Sequence, residues 1–558
     1  MKKSVVLSLA VCMTLVCAVA CGERTPSSGG SSTTSESRVP WETAKANAKK
    51  ITIYLDESNV YGSYIQGSEE AYVKNAIEKK FYEDTGNAVN IEILYCTHET
   101  FSNSFSGVMT TGRWDAAVSY LGQAGLEETV LNQDVAMDIS DLVSAYGDHI
   151  SEAVDQEAFY AVTTLTDEVI GVPSVVKTKT RGLLARKDYM TRVGYTESAE
   201  EAAASGGSLK LCKTIDDFND MLVKMKAQIP ECTTPLIGNS YDLEFTVLAG
   251  VCGTAGYQYK SVIYNDDGTV KEVVPGWLSE GYGKMLDYAY YWQKNGLWES
   301  DNRVVSDEVR ITNFSNGKSG VYCADPNIMN LISVARQVKT VDKDVEFAIL
   351  SPLDAVDESG KAIENSGAFV ENSRTTDCLI INKKSQNAEL LIKYLDWMYS
   401  SVDNYELCRY GVKGEHWIDA GEGFYKYPEN LADRYFINPP YSGAFALLHN
   451  DEFAYRLYAS YSEEELGWIE KVENSRGMKN ETDGMLFYNM PQTINSNFRL
   501  AENNIYLNCA TKAWTGVADP ALTYGGENGE YAAYRKQAGD YIEWLTTQYK
   551  LYLQSRAL

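Results

Sequence analysis

Histidine, proline and paired cysteine are all scarce in this chain: its 558 residues hold four histidines, 13 prolines and 11 cysteines. His98, His149, His416 and His449 lie far apart, no Cys-x-x-Cys pair occurs, and so no recognisable metal-ligand spacing is present. Long apolar runs are missing beyond residue 20. The longest, Phe245 to Cys252, is far short of the ~20 residues that a membrane-spanning helix needs. Basic residues are outnumbered, 50 against 77 acidic ones, for a net charge of -27. That balance argues against nucleic acid or an anionic membrane surface as a general partner. Catalytic signatures are missing as well. His98-Glu99 lacks the second histidine of a zinc protease motif, and no Gly-x-Ser-x-Gly nucleophile turn appears.

What is present begins at the start of the chain. Lys2 and Lys3 precede an apolar stretch, Val5 to Ala20, that ends in small residues at Ala18-Val19-Ala20-Cys21. This reads as an export signal, residues 1-20, resembling a lipobox cut before Cys21, whose thiol would carry the lipid. Two acyl chains suffice for stable anchoring. The Ser/Gly/Thr-rich residues 21-49 then form a tether. The expected location is the extracellular face of a bacterial cytoplasmic membrane. Eight further cysteines, from Cys96 to Cys509, are scattered singly and are expected to be mostly free and buried. With 39 Tyr, 10 Trp and 15 Phe, flat rings with polar edges are plentiful.

After the tether, strand and helix alternate. Ile51 to Asp56, Asn90 to Tyr95 and Ala116 to Tyr120 have strand character, with helix patterns over 69-82 and 101-109, as in βαβ units with a parallel sheet. Ligands in such sheets bind beyond the carboxyl ends of the strands, which puts Glu57, Ser58, Tyr120 and Gln123 near any site. Thr214 and Asp217 form a capping pair before the periodic Phe218, Met221, Leu222 and Met225. Asp267-Gly268 reads as a hairpin tip rather than a metal loop. Leu391, Leu395, Met398 and Val402 mark a helix after the strand 379-382. Trp292 and Trp397 sit at helical spacing among apolar neighbours and read as core, while Trp114 is either a plug at the base of a lobe or something more.

The order of segments resembles a family. Ile170-Gly171-Val172-Pro173 with Leu184 to Tyr189, Phe314 to Val321, Lys393 to Ser400 and Arg409 to Trp417 are similar to segments of the extracellular solute-binding proteins of sugar-type ABC importers, in particular the large lipoprotein branch that includes alginate-binding proteins. The resemblance spans most of the mature chain. It implies an α/β, two-lobe periplasmic-binding-protein-like fold with a hinge and an interlobe cleft. Lobe 1 would comprise 50-173 and 338-399, and lobe 2 would comprise 174-337 and 400-558, with crossings near Pro173, Val338 and Tyr399. The calcium loop of alginate-binding relatives corresponds to Ala227 to Pro235, where a single carboxylate, Glu231, remains, so no metal or other cofactor is expected.

The resemblance implies capture of an oligosaccharide by hinge closure, delivery to separate ABC permease subunits, a monomer, and no catalysis. Candidate ligand contacts are Glu57, Ser58, Tyr120, Gln123, Tyr241, Asp242, Tyr322, Asp325, Asn327 and Trp417. For Trp417, sugar stacking and plain packing both stand open. Two other classes also stand open: a secreted polysaccharide hydrolase or lyase, and a glycan-capturing surface lipoprotein without a transporter.

Overall fold

The computed structural model describes residues 39-556 apart from 57-67, 97-104, 106, 120-125, 177-178, 180, 258, 301, 372-376, 430-440, 486-487, 489 and 526-528. Cys21 and the export segment therefore lie outside the described residues.

Two sheets organise the molecule. The first joins β1 (Lys49–Asp56), β2 (Val89–Cys96), β3 (Ala116–Ser119), β4 (Gly171–Pro173) and β9 (Cys378–Ile381) in the order β2-β1-β3-β9-β4. β1 runs parallel to β2 and β3, and β9 runs antiparallel to β3 and β4. The two-residue side-chain period explains the burial. Ile51, Ile53 and Leu55 share one core with Val118, Val172, Leu379 and Ile381, under the helices Ser68–Thr85 and Ala388–Tyr399. Tyr54, Ala117 and Ile380 enter a second core on the other face.

The second sheet joins β5 (Leu184–Arg186), β6 (Leu236–Ile237), β7 (Val321–Tyr322) and β8 (Phe347–Ile349) in the order β8-β5-β7-β6. β6 and β7 are parallel, whereas β5 is antiparallel to β7 and β8. Ala185, Leu236 and Val321 face the largest core, which also takes Phe218, Met221 and Leu222 and the C-terminal Phe498, Ile505 and Leu545. Leu184, Ile237 and Tyr322 point the other way, under helices Ile328–Val341 and Glu463–Glu473. The chain thus forms two α/β lobes, one around each sheet.

The chain leaves the first sheet after Pro173 and joins the second at Leu184. The other two crossings fall later than the resemblance implies. Val338 is fully buried in the second lobe, and Phe347–Ile349 still pairs with β5, so the return comes between Ile349 and Cys378. Beyond Tyr399 the chain stays with the first lobe, because Tyr405, Cys408, Leu447 and Leu448 pack in its core. The last crossing follows Leu448, and Leu457 packs against the second lobe. Helical periodicity locates a buried face; it does not say which sheet that face will cover.

Local expectations hold where short-range chemistry decides. Thr214 and Asp217 form a reciprocal capping box. The Asp267 carboxylate accepts from the Thr269 N–H and hydroxyl at 2.9 and 2.6 Å, closing the hairpin turn. The eight described cysteines are buried and form no disulfide among the described residues. Trp292 and Trp397 are core residues whose indole N–H groups reach Asn219 and Asp84, each at 2.7 Å. Trp114 is buried and donates to the Met109 carbonyl, while Asp115 receives the Thr52 N–H and the Ser385 hydroxyl, tying β1 to the turn after β9. No helix of the described residues is long and apolar enough to cross a membrane.

Candidate ligand site at the carboxyl edge of the sheets

Strand direction brings separate parts of the second lobe to one edge. The carboxyl ends of the parallel strands β6 and β7 lie there, together with the amino end of the antiparallel β5. The short helix Ser240–Leu243 after β6 carries Tyr241 and Asp242, the loop after β7 carries Asp325 and Asn327, and Arg181 stands just ahead of β5. Four of the candidates therefore meet at one edge, and Arg181 joins them.

Gly238 makes the first loop possible: a Cβ there would sit 2.2 Å from the Cys323 carbonyl oxygen. Asn239 then caps the next helix by accepting the Asp242 N–H at 2.8 Å. Asp242 is 6% exposed, and its Oδ2 accepts from Asn239 Nδ2 at 2.6 Å and from the Asp325 N–H at 2.9 Å. Burial pushes its carboxyl up to about 6 against these bonds. Asp325 adopts a left-handed backbone, φ 43°, which presents that N–H to Asp242. Its carboxylate accepts from Asn330, and burial, then the Asp307 charge, raises its pKa. Asn327 caps helix Ile328–Val341 by accepting the Met329 N–H at 3.0 Å.

An aromatic group backs these polar residues. Tyr241, 38% exposed, sets its ring edge-on to Phe245 at 4.3 Å, and Tyr259 does the same at 5.2 Å. The Arg181 guanidinium lies over the Phe245 ring at 5.0 Å. Arg181 was not among the sequence candidates; its only signal was a basic residue between a strand that leaves one sheet and a strand that enters the other.

Two candidates are core instead. Tyr322 is 2% exposed and packs on Phe314 at 5.4 Å, because it points to the face of the sheet opposite Val321. Trp417 is 1% exposed, donates to the Gly411 carbonyl at 3.0 Å and lies beneath Lys413 and Arg456. Packing is the role seen for Trp417. Glu57, Ser58, Tyr120 and Gln123 lie outside the described residues.

The first lobe contributes a second group at its own carboxyl edge. Leu55, Arg409, Gly443 and His449 line a recess there, too narrow to admit a water molecule. Arg409 donates to His449 Nδ1 at 3.1 Å. Leu447 holds φ 59° while buried, a strained backbone of the kind that persists only when its surroundings enforce it. β1 has a neighbour on each side, so this recess lies at the point where the strand order diverges.

Two α/β lobes, three crossings and polar groups gathered at the carboxyl edges define a two-lobe periplasmic-binding-protein-like fold. No protein-family model and no curated protein matches the chain. Solved structures do match it. An N-glycan transport solute-binding protein, NgtS, from Streptococcus pneumoniae aligns at a TM-score of 0.61 with 14% identity, covering 91% of this chain and 100% of that one. The alginate-binding protein AlgQ2, solved without calcium ion, aligns at 0.60 with 13% identity over 90% and 98% of the two chains. An extracellular solute-binding protein from Bifidobacterium longum subsp. infantis aligns at 0.56 with 13% identity over 90% and 97%. The likeness is one of fold across the length of both chains.

Proposed function

We propose that this protein is the substrate-binding component of an ABC importer, capturing an oligosaccharide between its lobes and presenting it to a permease. The observation that carries the reading is the convergence of Tyr241, Asp242, Asp325 and Asn327 on the carboxyl edge of the second sheet, in a fold shared with glycan-binding transport proteins. Structures of that fold include NgtS in complex with Man5GlcNAc and a substrate-binding protein, FusA, in complex with kestose. Fixed donors and acceptors beside the aromatic rings suit a sugar, whose hydroxyls pair with the polar groups and whose C–H faces lie on the rings. Glu57, Ser58, Tyr120 and Gln123, which follow β1 and β3 in the chain, would supply contacts from the first lobe. Lipidation at Cys21 would hold the protein on the outer face of the cytoplasmic membrane.

A thermal-shift panel tests this, with neutral manno-, gluco- and fructo-oligosaccharides beside galacturonate and alginate oligomers and with product analysis of each mixture. One glycan class should raise the melting temperature and be recovered intact; at 100 times its Kd it adds about 2.7 kcal/mol of stability. Shortened glycan would identify an enzyme, and no shift across the panel would remove the oligosaccharide reading.

A further inference from the structure

Arg181 is a guanidinium without an acceptor among the described residues. It donates no hydrogen bond to the described residues, and its Nε is buried without a partner. A guanidinium carries five N–H donors in a rigid fork, and leaving the buried Nε–H unmet is costly. Other contacts nonetheless hold the side chain in place. It lies on Phe245, which Tyr241 and Tyr259 clamp edge-on, and its backbone bridges to Asn327. The donors are therefore positioned and unused, at the edge where Asp242 and Asp325 converge.

The acids do not consume them. Both carboxyls feel the charge of Arg181, yet neither forms an ion pair with it. A group that accepts from the cation and donates to the carboxylates would bridge the gap between them. A hydroxyl does both; a carboxylate only accepts. The local charge points the same way. Asp242 and Asp325 both feel Arg181, and the Asp307 charge also reaches Asp325; Arg310 is occupied by Glu299 and Asp307 at 2.7 and 2.9 Å.

We propose that Arg181 and Asp325 form a specificity-determining pair that binds adjacent hydroxyls of a neutral sugar and disfavours uronic acids. The proposal rests on the oligosaccharide reading above and adds its substrate class. Arg181 supplies the donors, Asp325 takes the hydroxyl protons in hydrogen bonds, and Tyr241 offers its ring beside them. A uronate would meet two carboxylates across the same gap.

Calorimetric titration of the full chain tests it, using the neutral oligosaccharide with the largest thermal shift and tetragalacturonate and alginate tetramers. The wild type should bind the neutral glycan at least tenfold more tightly than either uronate. Arg181→Met should weaken neutral binding about 10- to 100-fold, the range for losing hydrogen bonds from a charged donor. Arg181→Lys, which keeps the charge without the fork, should fall between. Asp325→Asn should narrow the gap between neutral and uronic ligands, and it reads the proposal independently if Arg181→Met fails to fold. Neutral binding by Arg181→Met at wild-type strength would overturn the proposal, as would uronates binding as tightly as neutral glycans. A wild type that binds no glycan would overturn the oligosaccharide reading and this proposal together.

Discussion

Glu244 shows what a single residue of this fold tolerates. It begins the π-helical turn Glu244–Leu248 and is buried, and it has no cation beside it. One oxygen accepts the Tyr257 N–H at 3.1 Å, while Oε1 has no partner. Burial pushes its carboxyl up to about 8. The folded protein therefore holds a proton that the unfolded chain releases near 4.5, so folding stability from this group is full below pH 4.5 and falls as pH rises toward 8. Glu244→Gln removes the titration. The variant should match the wild type in melting temperature at pH 4.5 and exceed it increasingly up to pH 8, measured by calorimetry across the range. An equal difference at every pH would mean that Glu244 is not protonated in the fold. Residue chemistry of this kind was only partly legible in the sequence. Tyr241, Asp242, Asp325 and Asn327 are reached through the family resemblance, as polar residues following segments that it marks as strands. Tyr322 could not be assigned to the core, since in a two-residue strand the face is set by the sheet rather than by an alternating pattern, and nothing local marked Arg181 as unpaired.

Elements were more legible where their own residues close them. The capping box of Thr214 and Asp217 and the turn at Asp267-Gly268 are satisfied within five residues, so the sequence contains both partners. Helix Asp148–Ala153 is different. Its first N–H groups are received by Asp396, 2.7 Å from the His149 nitrogen and 247 residues away. That carboxylate also hydrogen-bonds the imidazole and raises the His149 pKa. Contact between elements can be closer still: a Cβ added at Gly250 would lie 2.1 Å from the Ala368 nitrogen, so the second crossing runs directly over the helix Ala249–Cys252. Gly250→Ala should cost about 1–3 kcal/mol of stability, as overpacking does, read from denaturant midpoints. The loss should exceed that of an alanine at exposed Gly467, where nothing lies within 4 Å. Equal effects would mean that the crossing yields freely.

At the scale of the molecule, the three crossings are bound to one another beside the first lobe. The Ser174 N–H donates to the Asp377 carbonyl at 2.8 Å, the Val175 N–H to the His449 carbonyl at 2.7 Å, and the Asp451 N–H to the Val175 carbonyl at 2.9 Å. At the second lobe, Gly182 donates to the Pro326 carbonyl at 2.8 Å and Leu350 to the Leu183 carbonyl at 2.9 Å. Each end of the crossing region is thus fixed to its own lobe by backbone hydrogen bonds. Arg181 directly precedes Gly182, whose N–H is fixed to the Pro326 carbonyl. A ligand shifts the equilibrium only through contacts it makes better in one state, and groups from both lobes can touch one sugar only when the lobes approach. Small-angle scattering of the protein with its best-binding oligosaccharide should therefore show a smaller radius of gyration than the free protein. Arg181→Met at saturating glycan should recover less of that contraction, because one of the contacts that favours approach is gone. An unchanged radius at saturation would place capture on one lobe alone and remove hinge closure from the mechanism.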